Sequence, residues 1–121
     1  MGFKKESFCS QILSSKNFKK EEAMGDDHHS QEVALFEVIS RIETAEEAQS
    51  FLLDLCTPAE IRAFAERWRV CQLLNSGKFS YRQINEATGA SLTTISRVAR
   101  FLNDEKNGGY RAMLEKIASS E

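Results

Sequence analysis

The stretch TGASLTTISR, residues 88–97, concentrates the groups of this chain most suited to chemistry with a polyanion. On a helix opening after Ser91, the outward positions are Ser91, Thr93, Thr94, Ser96, Arg97 and Arg100. Hydroxyls and guanidiniums bond phosphate oxygens and base edges, and an arginine can grip guanine with two parallel hydrogen bonds. No Asp or Glu occurs from 88 to 103, although 28% of the chain is charged. A helix free of acids in so charged a sequence fits a groove of DNA. It also fits a plainer reading, a surface helix capped by Ser91 and kept soluble by its arginines.

Such a helix needs a partner to hold it. SYRQ, residues 80–83, is a capping box, with Ser80 at the N-cap and Gln83 three positions on. It opens a short helix with Ile84 and Ala87 inward, and Gly89 ends that helix because glycine tolerates left-handed backbone angles. Ser91 caps the next helix, whose inner face the periodicity assigns to Leu92, Ile95, Ala99 and Leu102. Two short helices joined through a glycine at this spacing form the helix-turn-helix pattern, in which the second helix lies in the major groove. Asn85 stands where such patterns favour a small residue.

The remaining segments are helical too. Leu35, Val38, Ile39 and Ile42 share one face of a helix expected over 30–42. TAEE, residues 44–47, caps a second, over 45–55, with Ala48, Phe51, Leu52 and Leu55 on one side. TPAE, residues 57–60, places Thr57 at an N-cap and Pro58 at the first helical position of a long helix running to Gly77. Its two apolar stripes, Ile61–Phe64–Ala65–Trp68–Cys71 and Val70–Leu73–Leu74, suit the buried axis of a domain or a dimer interface. After Asn107-Gly-Gly, a last helix carries Tyr110, Met113, Leu114 and Ile117. No segment alternates with period two, so the fold class is all-α, about six helices including the helix-turn-helix. Residues 1–29 are expected to be an N-terminal extension and 30–121 the helical domain.

The 121 residues suffice for one hydrophobic core. The net charge of −2 hides an uneven distribution: +4 over 1–20, −10 over 21–60, +5 over 61–111 and −1 over 112–121. One part is thus kept from polyanions and another suited to them. Cys9, Cys56 and Cys71 form neither an even set nor a CxxC pair, so they read as reduced thiols of a cytoplasmic protein. No apolar run spans a membrane, and none is expected as a partner. His28 and His29 have no ligand-type residues at recurrent zinc spacing, Cys71 has no histidine nearby in sequence to activate it, and no Ser/His/Asp set can be assembled. Neither a catalytic site, a metal nor a cofactor is expected. Trp68 reads as core, and KNFKK, residues 16–20, as a solvated tail.

Residues 55–97, LCTPAEIRAFAERWRVCQLLNSGKFSYRQINEATGASLTTISR, resemble the central part of the Trp repressor family without a gap. The resemblance is close over about a third of the chain and looser over the first two helices and the last. It implies an intertwined homodimer on double-stranded DNA, with two reading helices in adjacent major grooves of a pseudo-palindromic site. By position it assigns DNA contact to Arg82, Ser91, Leu92, Thr93, Thr94 and Ser96. It also implies an effector pocket between Arg67 and Arg97, where the family holds tryptophan. Val98 replaces a glycine there, Phe101 a small serine, and Asp54 an apolar residue; added bulk in a snug pocket costs about 1–3 kcal/mol. The expectation is therefore a DNA-binding regulator, a repressor in sign, whose effector is unknown and is not tryptophan. A helical module that binds another protein through the acidic 21–60 segment or through the filled former pocket, without binding DNA, is the alternative.

Overall fold

The structure, a computed structural model, describes residues 27–120. Within them lie six helices and no strand: α1 (His28–Ile39), α2 (Ala45–Leu55), α3 (Pro58–Ser76), α4 (Tyr81–Thr88), α5 (Leu92–Asn103) and α6 (Gly109–Ser119). The all-α class expected from the periodicity is what forms. All but the last three residues of the anticipated 1–29 extension, including KNFKK and Cys9, lie outside the described residues. The chain divides into two compact units, Met1–Ser50 and Phe51–Glu121.

In the first unit α1 starts two residues earlier than the apolar pattern suggests. Asp27 takes the N-cap, its carboxylate accepting from the Ser30 amide at 2.9 Å. That bond holds the Asp27 carboxyl below its ordinary pKa. The helix also ends three residues early: Ser40 Oγ donates to the Glu37 carbonyl at 2.6 Å, and the Arg41 and Ile42 amides turn back three residues to Val38 and Ile39. The expected apolar face is only partly sheltered, since Val38 and Ile39 are exposed and Leu35 and Ile42 half-buried. Phe36 is 62% exposed, while Glu37 is buried with its Oε2 lacking a hydrogen-bond partner. Thr44 Oγ1 caps α2 by accepting from the Glu47 amide, but the Glu47 carboxylate accepts from Glu43 rather than closing the expected box on Thr44.

The second unit is built on α3. Thr57 and Glu60 make the full reciprocal box, with bonds of 3.1 and 2.8 Å, so two helix N–H donors that would lack partners are satisfied. Gly77 closes α3 at φ 72°, a left-handed conformation that costs other residues about 1–2 kcal/mol. The core comprises Val70, Cys71 and Leu73 of α3, Ile84 of α4, Ala90 of the turn, and Ile95, Val98 and Leu102 of α5. Trp68, Leu74, Tyr110 and Leu114 pack against it, so Trp68 serves as core in the manner its spacing suggests. Of the two stripes on α3, the one through Val70 and Leu73 is covered and Phe64 on the other stays 45% exposed. Burial pushes the Cys71 thiol above its ordinary pKa, which suits packing and not nucleophilic attack.

Candidate nucleic-acid interface

The segment from α4 to α5 is a helix-turn-helix whose turn is pinned by side chains of its own first helix. Gly89 adopts φ 80° and its amide donates to the Asn85 carbonyl at 2.8 Å. Ala90 then turns its methyl into the core at 1% exposure. Its amide donates to Thr88 Oγ1 at 3.0 Å, and its carbonyl accepts from Asn85 Nδ2 at 2.7 Å. Both backbone groups of the turn's central residue are thereby satisfied by α4. Asn85, out of place by the general pattern, is the brace that supplies one of these bonds. Asn85→Ala is expected to leave the part-buried Ala90 carbonyl unpaired and to cost about 1–3 kcal/mol of unfolding free energy, read as a lower denaturation midpoint with an unchanged denaturant slope.

The sequence fits α5 to this seat through Ile95, Val98 and Leu102, all at most 5% exposed. Periodicity had placed Leu92 on the inner face. The structure corrects that: Leu92 is the first helical residue, reaches beyond the core and is 57% exposed, whereas Val98 is buried at 1%. Val98, anticipated as a pocket-filling residue, packs in the core.

At the tip of α5, Ser91 Oγ accepts from the Thr94 amide and donates to Thr94 Oγ1, both at 3.1 Å. These two hydroxyls cap the helix, and Thr94 is half-buried. Leu92, Thr93 and Ser96 remain exposed, so the exposed tip combines an apolar side chain, a methyl-bearing hydroxyl and a second hydroxyl. The unpaired N–H groups of the first turn add partial positive charge there.

The arginines are engaged differently. Arg97 lies over the Phe101 ring with its guanidinium carbon 4.4 Å from the centroid, and Arg100 approaches the same ring at 5.1 Å. Arg100 Nε also meets Glu105 at 3.5 Å. Arg82, on α4, reaches Glu86 at 3.4 Å, but the two side chains are 87% and 64% exposed, and such a pair is worth only about 0–1 kcal/mol. Arg82 is therefore free to turn to a phosphate at little cost.

Arg67, the other arginine of the anticipated effector pocket, lies over Phe64 at 5.5 Å. Both Arg67 and Arg97 act on the phenol of Tyr110: burial raises its pKa, Cys71 adds to the rise, and the two guanidiniums oppose it. Tyr110, which the sequence had marked only as one member of an apolar stripe, packs against the core and stacks on Trp68 of α3. Asp54 is exposed on α2. His28 and His29 are exposed in the first turn of α1, and among the described residues no group of His, Cys, Asp or Glu is arranged to hold a metal. No helix there is long and apolar enough to cross a membrane.

An all-α unit with a side-chain-braced helix-turn-helix and an acid-free second helix defines a class of DNA-binding folds. Residues 30–118 match the Trp repressor protein family, a family of DNA-binding transcription regulators, and the chain belongs to it. Among its relatives is the protein YerC of Bacillus subtilis, 40% identical over 87 residues that cover 72% of this chain and 82% of YerC. A Trp operon repressor homolog of Aliivibrio salmonicida is 34% identical over 76 residues, covering 60% of this chain and 70% of that protein. The crystal structure of a TrpR-like protein from Eubacterium eligens is similar, with a TM-score of 0.66 at 34% identity over 77% of this chain and 92% of the other.

Proposed function

We propose that this chain is a sequence-specific transcription regulator, a repressor in sign, that acts on double-stranded DNA as an intertwined homodimer in the cytoplasm, with no catalytic activity. The observation that carries this reading is the exposed tip of α5, presented on a turn that its own side chains hold rigid. Leu92 and the Thr93 methyl suit the C5-methyl of thymine, and the hydroxyls of Thr93, Thr94 and Ser96 suit either base edges or phosphates. Arg82, Arg97 and Arg100 take phosphates, and Ser91 sets the first turn that places the rest. The relative described as a Trp operon repressor homolog supports the same function.

The dimer rests on apolar surface. Phe36, Val38 and Ile39 of α1, Leu53 and Leu55 of α2 and Phe64 of α3 are each 41–62% exposed. Apolar area left in water forgoes about 25 cal/mol per Å², and a second copy of the same chain would cover it. A two-fold dimer reads half-sites about 34–36 Å apart. The resemblance puts an effector pocket at Arg67 and Arg97, and the Phe101 ring against the Arg97 guanidinium supports a ligand other than tryptophan.

The test is to incubate the purified protein with sheared genomic DNA of its source at about 0.15 M salt, where weak non-specific binding is suppressed, and to sequence what is retained. Enrichment of a few sites with two-fold symmetry is the expected result. Uniform retention, or none, would overturn the reading and favour the protein-binding alternative, for which the exposed apolar side chains of α1 and α2 would be the docking surface.

A further inference from the structure

The three arginines assigned to phosphates are held by groups of two different kinds. Arg82 meets the Glu86 carboxylate at 3.4 Å, and Arg100 meets that of Glu105 at 3.5 Å. A carboxylate opposes the positive charge and occupies an N–H donor that a phosphate would otherwise use. Arg97 lies on an aromatic ring instead. Its guanidinium carbon is 4.4 Å from the Phe101 centroid, nearer than that of Arg100 at 5.1 Å. The electron-rich face of a ring attracts a cation, yet it brings no oxygen to take the donors and no charge to cancel the cation's own. Arg97 is exposed and Phe101 half-buried. The two are four residues apart on α5, so the contact is local to the helix and needs nothing from another element.

We propose that Phe101 is a positioning residue for DNA binding, its ring setting the Arg97 guanidinium in place on α5 with charge and donors open to a phosphate. This rests on the DNA-binding function proposed above. Thr93, Ser96 and Arg97 are all exposed on α5 at spacings of three and four residues, so Arg97 shares the face of the tip, one turn behind Thr93. There it suits the phosphate strand that borders the groove Thr93 enters, a contact that fixes register rather than sequence. A long side chain free to roam must be immobilised on binding, which lowers affinity. A guanidinium already seated on a ring has given up part of that freedom before DNA arrives, and its planar fork is shaped for two phosphate oxygens. Arg100 shares the ring but must exchange Glu105 for the phosphate, so Arg97 depends on Phe101 the more.

The experiment uses the full chain, a duplex recovered by the genomic selection and its scrambled counterpart. Phe101→Leu keeps an apolar side chain without a ring, and Phe101→Tyr keeps the ring. The ordering of one long side chain is worth about two- to tenfold per chain, so the leucine variant should bind about 4- to 100-fold more weakly as two chains, by the same factor on both duplexes. The tyrosine variant should retain the affinity. Because no charge is removed, the leucine variant should keep the wild-type salt slope, whereas Arg97→Ala should lower it by about 0.9 for each chain. In an Arg97→Ala/Arg100→Ala background, titrated at lower salt, Phe101→Leu should have no further effect; a merely structural loss would persist there. In the free wild-type protein the Arg97 side-chain proton resonances should be shifted upfield by the ring current, and in the leucine variant they should not. Wild-type affinity in Phe101→Leu, a further loss in the background without both arginines, or unshifted Arg97 resonances would each overturn the proposal while DNA binding stands. The tyrosine variant and the wild-type resonances decide even if the leucine variant does not fold, and a tyrosine variant as weak as Arg97→Ala also overturns it. A wild type that selects no duplex overturns the DNA-binding function itself, and the proposal falls with it.

Discussion

Thr93→Asp is expected to abolish tight operator binding while leaving the free protein as stable as before or slightly more so. Thr93 occupies the second position of α5, exposed and next to the Ser91 cap. A carboxylate in the first turn of a helix meets the partial positive charge of the unpaired N–H groups and contributes roughly 0.3–1 kcal/mol to folding. In the groove the same carboxylate would face phosphates and electronegative base edges, and like charges brought together at an interface cost several kcal/mol. Two copies of α5 in a dimer would each carry the penalty, so a loss of at least about a hundredfold in affinity is expected. The two signs oppose each other, which separates recognition from folding. Thermal melts of the free protein and anisotropy titrations with a labelled duplex measure both; unchanged affinity would remove α5 from the interface.

Ile95→Ala should act through stability instead. Ile95 is fully buried, on the inner face of α5 and within the core that includes Val70 of α3 and Ile84 of α4. Removing its outer carbons loses their transfer free energy and leaves a cavity that rigid neighbours only partly fill, at about 2–5 kcal/mol in total. Domains of this size are commonly stable by only about 5–15 kcal/mol. The change therefore removes a large fraction of the stability of the second unit, and DNA affinity should decline only to the extent that folded protein is lost. Chemical denaturation followed by helical circular dichroism measures the loss. A shift under about 1 kcal/mol would mean that α5 is not packed as described.

Much of this arrangement is written locally in the sequence. Thr57, Ser80 and Ser91 cap the helices they were expected to cap, since a hydroxyl before a helix acts on amides two or three residues away. Gly77 and Gly89 stop α3 and α4 for an equally local reason, their positive φ. Periodicity was less secure at helix ends. Leu92 falls on the inner stripe by spacing but stands at the tip of α5, where there is no core left to cover it.

The interactions that escaped sequence reading join distant residues or act against a general pattern. Arg111 donates to Asn75 Oδ1 at 2.9 Å although 36 residues separate the two, and no periodicity links them. Tyr110 shows nothing in sequence beyond a place on an apolar stripe, yet its ring stacks on Trp68 of α3. Asn85 did give a signal, as an anomalous polar residue before the turn; only its bond to Ala90 shows what the anomaly does. The reading of α1 fell short for a related reason. Its apolar residues follow a helical pattern, but Phe36, Val38 and Ile39 are exposed in the single chain; periodicity marks a shared face and does not say what covers it.

The most direct measurement of the central claim is affinity for a selected duplex and for its scrambled counterpart across a salt series. A specific reader makes log K fall linearly with log salt for both duplexes, by about 0.9 per phosphate contact, as counterions are released. At about 0.15 M salt the selected site should be bound at least about a thousandfold more tightly than the scrambled one, with two chains per duplex. Equal affinities for the two duplexes at every salt concentration would contradict it, leaving a basic surface that attracts DNA without reading it.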